Sequence, residues 1–243
     1  MGDDVDYFGL GLFFLITLIT EILGTIGGFG SSFIFVPVAQ FFFTMQIVLA
    51  LTGTLHVFSN ISKIILFRKT IDWKIVMGLG VSSVILCIVG AYLTTVLDFS
   101  YAKTTLGVFL ILLSSFLLIR PSFRLNSGIG VQIAGGGLAG FLAGFIGTGG
   151  AIRGLVLASF NLERNLFVGT SAAIDFGVDV SRTIIYLDNN YMSMEMLVYL
   201  PILLAASFAG SYFGKLLLQR MQPEFFKKLV LWLALAMGVA LLF

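Results

Sequence analysis

The sequence predicts an all-α polytopic membrane protein made of two inverted repeats of about five hydrophobic segments, each with a glycine-rich broken or re-entrant helix. The 243-residue chain is 58% hydrophobic and 11% charged, far from the composition of a soluble domain. Residues 22–62 and 125–152 contain no Asp, Glu, Lys or Arg. Glycine and polar patterns recur about 119 positions apart. A repeat whose hydrophobic helices are broken by glycine at membrane depth is typical of a transporter.

Hydropathy divides the chain into ten segments, which we place at roughly 7–26, 30–43, 47–67, 74–96 and 103–119, then 128–147, 150–160, 166–186, 194–217 and 226–243. The repeats are predicted to be 1–124 and 125–243, in one integral membrane domain. The second segment of each repeat is too short to span comfortably, because a span needs roughly 20 apolar residues. It directly follows a glycine cluster, so we expect the cluster to be the tip of a re-entrant or broken-helix hairpin. Such backbone is tolerated at depth only when it is buried in protein or lines a cavity.

Loop charges predict the orientation. By the positive-inside rule, the loops richest in Lys and Arg face the cytoplasm, and these are marked by Arg68, Lys69 and Lys74, by Arg120 and Arg124, and by Arg220, Lys227 and Lys228. The acidic N-terminus and the loop 188–190 then face outward. The loop 68–74 is cytoplasmic, whereas its repeat mate 187–195 is external, so the two repeats have opposite topology. We expect a bacterial-type cytoplasmic (inner) membrane, with the N-terminus outside.

Composition and motifs also exclude several classes of protein. The single cysteine, Cys87, excludes an internal disulfide and argues against a thiolate metal site. A net charge of +2 gives no indication of nucleic-acid binding. Nucleotide-binding motifs, zinc-ligand spacings and Ser–His constellations are absent from the sequence, so we expect neither an enzyme nor a cofactor or metal. The expected partners are a small anionic substrate and the lipid bilayer, and a homodimer is left open.

The two glycine clusters, 24–30 and 144–150, are the first candidate site. Glycine allows close backbone approach, and a helix that starts after such a turn directs its N–H groups and positive dipole end at the cavity. Two half-helices that start near Ser31 and Ala151 would converge in an inverted repeat, which suits an anion. The candidate substrate-binding residues are Gly27, Gly28, Gly30, Ser31, Ser32, Gly147, Thr148, Gly149 and Gly150. The alternative is that these glycines only let helices pack closely.

Two helical segments carry matching polar residues. His56, Asn60 and Lys63 match Asp175, Asp179 and Arg182 at a shift of 119. Positions i, i+4 and i+7 share one helix face. Lone polar residues in membrane helices often serve helix–helix packing, but a duplicated polar face is expected to line the interface between the repeats. We expect Asp179 and Arg182 to form a local ion pair.

Arg153 lies about one turn into the second half-helix. A charge at this depth costs at least ~2.5 kcal/mol on insertion scales and marks a transport pathway by default. Its planar donor fork suits oxyanions, so Arg153 is a further substrate-binding candidate. The alternatives are a structural ion pair with Asp175, Asp179 or Glu21, or a position near the membrane surface.

Three other residues are candidates for proton coupling, namely Glu21, His56 and Asp175. Histidine is the side chain that ordinarily titrates near neutral pH. The alternative for His56 is a neutral, hydrogen-bonded residue of the helix packing. For Asp175 it is an ion pair with Arg153.

These patterns resemble the sulfite exporter TauE/SafE family of membrane transporters. The resemblance rests on the glycine-rich break before a short apolar segment with Pro37, and on Gly53-Thr54 and Gly169-Thr-Ser171 ahead of a helical Asn or Asp. It covers nearly the whole chain and both repeats. It implies ion-coupled export of small sulfur-containing anions such as sulfite or organosulfonates, and it adds Asn60 and Asp179 to the substrate-binding candidates.

The leading hypothesis is a secondary transporter that exports such an anion, bound at the midplane between two half-helix N-termini. One alternative is an anion channel, which would neither saturate nor respond to a proton gradient as a transporter does. The other is an intramembrane enzyme with Asp175 and Asp179 as a catalytic pair. Their i, i+4 spacing is a poor match to a dyad from facing helices, and Arg182 would keep them ionised.

Overall fold

The structure is a computed structural model that describes residues 7–28, 30–93, 100–120, 127–146, 149–240 and 242. The described residues form helices without strands, and each helix lies on one of the predicted hydrophobic segments. The helices are α1 (Tyr7–Gly27), α2 (Ser32–Ala39), α3 (Met45–Phe67), α4 (Trp73–Leu93, with a π-helical turn at Val76–Gly80), α5 (Ser100–Ile119), α6 (Ile129–Ile146), α7 (Gly150–Ser159), α8 (Arg164–Asp188), α9 (Leu200–Arg220, after a 3-10 turn at Met194–Tyr199) and α10 (Pro223–Ala240).

Four helices of the described part are long and apolar enough to cross a membrane, within Gly9–Gly27, Gln46–Phe67, Trp73–Leu93 and Met194–Arg220. The 25 residues of α8 extend about 37 Å at 1.5 Å per residue, which exceeds a hydrocarbon core of about 30 Å. This helix is less apolar because Asp175, Asp179 and Arg182 lie on it, and all three are buried. The protein interior therefore shields the polar face of α8.

Both predicted helix breaks are present where the glycine clusters lie. The first break follows α1, where Gly28 has φ +74° and Gly30 has φ +99°. Side-chain-bearing residues rarely adopt this left-handed conformation, so glycine permits the sharp turn into α2. The second break separates α6 from α7, and Gly147 and Thr148 lie there, outside the described residues. The helix after each break is short, with 8 residues in α2 and 10 in α7.

Each short helix is enclosed by protein. Phe35 of α2 is buried in an apolar cluster with Phe13 and Leu203. Leu155 of α7 is buried in a second cluster with Phe167 and other residues. A helix too short to span can lie at membrane depth only when it is surrounded in this way.

A glycine stripe joins α6 to α4. A Cβ atom on Gly136, Gly140 or Gly144 would lie 2.1, 2.0 or 2.0 Å from a carbonyl oxygen of α4. The two backbones therefore touch, as small residues allow in membrane proteins. Ser83 Oγ of α4 also donates a 2.8 Å hydrogen bond to Gly136 O.

The central helices α3 and α8 are antiparallel neighbours. Gly53 of α3 faces Thr183 of α8, since a Cβ at Gly53 would lie 2.4 Å from Thr183 Oγ1. Farther along α3, Asn60 hydrogen-bonds Asp179, and Thr70 after α3 hydrogen-bonds the first turn of α8. The other main packings join α1 to α9, α4 to α6, α5 to α10, α3 to α9 and α4 to α8.

Candidate functional site

A cluster of buried polar side chains occupies the middle of the helix bundle. His56 is the central residue of α3, and Asp175 lies next to the centre of α8. Seven ionisable side chains with 0–8% exposure belong to this cluster: Glu21, His56, Lys63, Arg153, Asp175, Asp179 and Arg182. Buried charges are costly unless they are paired and hydrogen-bonded. The stability of the site therefore depends on how these charged side chains are paired.

Glu21 of α1 is fully buried and holds the first pair. Lys63 Nζ lies 3.7 Å from Glu21 Oε2. The hydroxyls of Ser31 and Ser59 both donate hydrogen bonds to the same carboxylate. Gly210 of α9 leaves room beside it, since a Cβ there would lie 2.5 Å from Glu21 Cβ. Because Ser31 precedes α2, Glu21 fixes the start of this half-helix.

Asp179 and Arg182 of α8 form the second pair. Arg182 Nε donates a 2.8 Å hydrogen bond to Asp179 Oδ1, and a terminal nitrogen lies 2.6 Å from the same oxygen. Asn60 Nδ2 donates a 2.7 Å hydrogen bond to Asp179 Oδ2. The predicted local ion pair is confirmed, and the polar faces of α3 and α8 contact each other through Asn60 and Asp179.

Arg153 of α7 and Asp175 of α8 form the third pair. Both terminal nitrogens of the Arg153 guanidinium contact carboxylate oxygens of Asp175. Arg153 Nε donates a 3.2 Å hydrogen bond to Ser171 Oγ. Arg153 is only 2% exposed, so its guanidinium is enclosed by the protein. Of the alternatives for this residue, the structure contains the ion pair with Asp175.

His56 connects these pairs. A terminal nitrogen of Arg182 lies 3.2 Å from His56 Nδ1, and Ser31 Oγ lies 3.3 Å from His56 Nε2. Because a guanidinium can only donate, the tautomer that fits this contact accepts at Nδ1 and has its proton on Nε2. Nε2 then donates to Ser31 Oγ, which donates to Glu21. One directional hydrogen-bond chain therefore runs from α8 through α3 to α1.

A narrow cavity of about 10 Å³, roughly the room that one water molecule needs, lies within the cluster. The first residues of both half-helices border it, Ser32 of α2 and Gly149 and Gly150 at the start of α7. The N-termini of α2 and α7 thus border the same space. This is the convergence expected of half-helices that start after the two glycine clusters. The remaining lining residues are His56, Ala143, Arg153, Asp175, Val178, Asp179 and Arg182.

The predicted site residues fall into three groups around this cavity. The group that lines it comprises Ser32, His56, Gly149, Gly150, Arg153, Asp175 and Asp179. Behind the lining lie the hydrogen-bonding residues Glu21, Ser31 and Asn60. The end of α1 and the turn before α2 contain Gly27, Gly28 and Gly30. Gly147 and Thr148 are outside the described residues.

Two of the predicted glycines also have packing roles. A Cβ at Gly28 would lie 2.6 Å from the ring of Phe167, and one at Gly149 would lie 1.9 Å from Ala139 O. Gly149 itself has an ordinary backbone conformation, with φ −94°. Close packing, which was the alternative explanation for the clusters, therefore applies at both positions.

Sequence reasoning left four partners out of the candidate list, namely Ser59, Lys63, Ser171 and Arg182. The repeated polar spacing already contained Lys63 and Arg182, and Ser171 belongs to the motif Gly169-Thr-Ser171. Ser59 carries no such signal, because a lone serine in an apolar helix is common. Its role as a donor to Glu21 follows only from the three-dimensional structure.

Long apolar helices around a buried, charged cavity define a membrane transport protein. The family model described as sulfite exporter TauE/SafE matches residues 13–241. The chain belongs to this family, as the sequence motifs predict.

A comparison with curated proteins agrees with this assignment. The chain is 28% identical, over 256 aligned positions, to a protein of Methanocaldococcus jannaschii named a probable membrane transporter protein. The alignment covers 96% of this chain and 94% of that relative. No solved structure matches the chain. The protein is therefore an integral membrane transporter and not an enzyme, and its setting implies a small-molecule substrate and surrounding lipid.

Proposed function

We propose that the protein is a secondary transporter that exports a small sulfur-containing anion, of the sulfite or organosulfonate class, across the cytoplasmic (inner) membrane. The observation that carries this proposal is the meeting of two half-helix N-termini and Arg153 at one buried cavity. Each N-terminus contributes the equivalent of roughly half a positive charge. The family description supports the sulfur chemistry of the substrate.

The cavity offers donors of the kind an oxyanion needs. The first N–H groups of a helix have no partner within the helix, and those of α2 and α7 start beside Ser32 and Gly150. Arg153 adds a planar fork that can bind two oxygens of a sulfite or sulfonate group at once. Asp179 lines the cavity. Asn60 lies behind it and donates a hydrogen bond to Asp179.

We further propose an inverted repeat with boundaries at 1–124 and 125–243. The matched helices α3 and α8 are antiparallel, which supports opposite topology of the two halves. The helix packings also fit a repeat of five helices, in which α1 corresponds to α6 and α4 corresponds to α9. The packing of α1 against α9 then corresponds to the packing of α6 against α4, and both packings are present. Together with the loop charges, this supports an N-terminus outside and a cavity near the membrane midplane.

Proton coupling is proposed to act through His56. Glu21 and Asp175 each already form an ion pair, which a proton on either would break. A proton on His56 Nδ1 would displace Arg182 and face Asp179 Oδ2, which lies 3.6 Å away. One proton would thereby remove one hydrogen bond of Arg182, a lining residue of the cavity, and leave its ion pair with Asp179. Substituting His56→Gln should leave saturable flux and abolish its response to a pH gradient.

Flux measurements on purified protein in liposomes test the proposal. Efflux of sulfite should saturate with concentration and should be inhibited by methanesulfonate more strongly than by nitrate or chloride. Linear, non-saturating flux of all four anions would instead indicate a channel. Absence of sulfite and sulfonate flux from vesicles with folded protein would contradict the proposed substrate class. Light scattering of the purified protein tests whether it is a homodimer.

A further inference from the structure

The carboxylate of Asp175 occupies the position that an anion bound to Arg153 would need. It contacts both terminal nitrogens of the guanidinium, while Ser171 Oγ accepts from Nε. An oxyanion held by two parallel hydrogen bonds would use the same edge of the guanidinium. Both residues line the cavity where the half-helix N-termini meet. A substrate that binds Arg153 in this way must therefore displace Asp175.

We propose that Asp175 is a tethered substitute for the transported anion, which pairs with Arg153 whenever the transporter is empty. This inference rests on the proposed function, in which Arg153 binds the substrate. For net export, the empty protein must reorient across the membrane. An unpaired guanidinium buried to 2% exposure would oppose that step, because an uncompensated buried charge is strongly destabilising. The Asp175 carboxylate removes this penalty until the next anion arrives.

Asp175 is better suited to this exchange than Asp179. Asp179 is held by Arg182 on its own helix and by Asn60 across the helix pair. The partner of Asp175 belongs to another helix, so movement of α7 against α8 or a change of side-chain rotamer can separate them. The charged groups around Asp175 are Arg153 from α7, Lys63 from α3 and Asp179 from α8, and the titratable His56 of α3 also lies near it. A displaced carboxylate would thus remain within the electrostatic reach of Lys63.

The substitution Asp175→Asn tests the inference through three measurements on the purified transporter. Without the Asp175 carboxylate as a competitor, sulfite should bind about tenfold more tightly or better at equilibrium. The reason is that Arg153 is then available to bind the anion in every molecule. Exchange of labelled internal sulfite for external sulfite should continue, since an anion is bound in both directions. Net efflux into sulfite-free buffer should fall at least tenfold, because the empty protein can no longer reorient with a paired Arg153. Asp188→Asn is the matched control, as Asp188 is exposed at the end of the same helix.

The opposite pattern would overturn the inference. Weaker binding, with exchange and net efflux reduced together, would mean that Asp175 only positions Arg153 or contacts the substrate directly. If Asp175→Asn is not recovered folded, Asp175→Glu decides. That variant keeps a carboxylate beside Arg153 and should preserve the ratio of net efflux to exchange, so a tenfold fall in this ratio would also refute the inference. The wild-type flux of sulfite tests the proposed function separately, before any variant is compared.

Discussion

Asn60 Nδ2 donates a 2.7 Å hydrogen bond to Asp179 Oδ2, and the two residues are 119 positions apart, the same distance that separates the matching patterns of the sequence. Two positions that the sequence pattern matches therefore contact each other directly. The pairing works because the two residues differ: an amide donates, whereas a carboxylate only accepts. Two aspartates here would repel, and two asparagines would leave Arg182 without its carboxylate partner.

Substituting Asn60→Asp should destabilise the protein, since it places two buried carboxylates in contact. Exchanging the pair, with Asn60→Asp and Asp179→Asn together, should restore most of the loss because one donor and one carboxylate remain. We expect a coupling free energy of about 0.5–3 kcal/mol between the two sites, measured by unfolding in detergent. Asn190→Asp, at an exposed position, is the control and should change little. Additive effects in the double variant would contradict the direct pairing.

Substituting Arg153→Gln should raise the sulfite concentration for half-maximal flux about tenfold to a hundredfold. This range follows from charge-assisted hydrogen bonds worth roughly 1.5–3 kcal/mol. Arg153→Lys should recover only part of the loss, because lysine lacks the planar fork. The matched control is Arg220→Gln, since Arg220 is exposed at the end of α9.

A purely structural Arg153 would behave differently. In that case Arg153→Gln would reduce the amount of folded protein more than the affinity, since Asp175 would be left buried and unpaired. Neutralising both partners, with Arg153→Gln and Asp175→Asn, would then restore wild-type affinity. We expect no such restoration. The comparison requires the half-saturation concentration and the yield of folded protein for the single and double variants.

Single Gly→Ala substitutions should lower stability and flux at closely packed positions and should be tolerated at open ones. Gly149→Ala would place a Cβ 1.9 Å from Ala139 O, and Gly28→Ala would combine a clash with Phe167 and a φ of +74°. We expect each to lose about 1–3 kcal/mol of stability and most of the flux. Gly11→Ala and Gly130→Ala are controls, because nothing lies within 4 Å of their added Cβ atoms. Equal behaviour of all four variants would show that the breaks tolerate side chains.

Cysteine labelling checks the proposed topology. Cysteines introduced at Asn190 and Lys69 should label differently with a membrane-impermeant maleimide on intact cells. Asn190 should react from outside, whereas Lys69 should react only after permeabilisation. The native Cys87 is buried and provides a low background. Reaction of both sites in intact cells, or of Lys69 alone, would rule out the inverted arrangement.

The positions of the helices could be predicted from the sequence because each depends on local composition. Apolar runs define the long helices, and the glycine clusters at 24–30 and 144–150 mark where α1 and α6 end. The repeat spacing also predicted that the polar faces of α3 and α8 line an interface between the two halves. The structure places Asn60 against Asp179 in agreement with it.

The partners within the cluster could not be predicted in the same way. Three carboxylates were open to Arg153, and only the packing of α7 against α8 selects Asp175. The contact between Ser59 and Glu21 joins residues 38 positions apart, and no local pattern indicates it. The sequence left a cavity role and a packing role open for Gly149, and only the approach of Ala139 in the structure shows the packing role.

The balance of charges in the buried cluster has a consequence for the energy source of transport. Glu21, Asp175 and Asp179 are matched by Lys63, Arg153 and Arg182, so with a neutral His56 the empty cluster carries no net charge. The membrane voltage then exerts no net force on its reorientation. Carrying one monovalent anion adds one negative charge, for which 100 mV across the bilayer corresponds to about 2.3 kcal/mol. In a cycle in which His56 stays neutral, an inside-negative voltage would therefore act on the loaded step, in the outward direction, whereas a proton on His56 would cancel the added charge in the step that carries both.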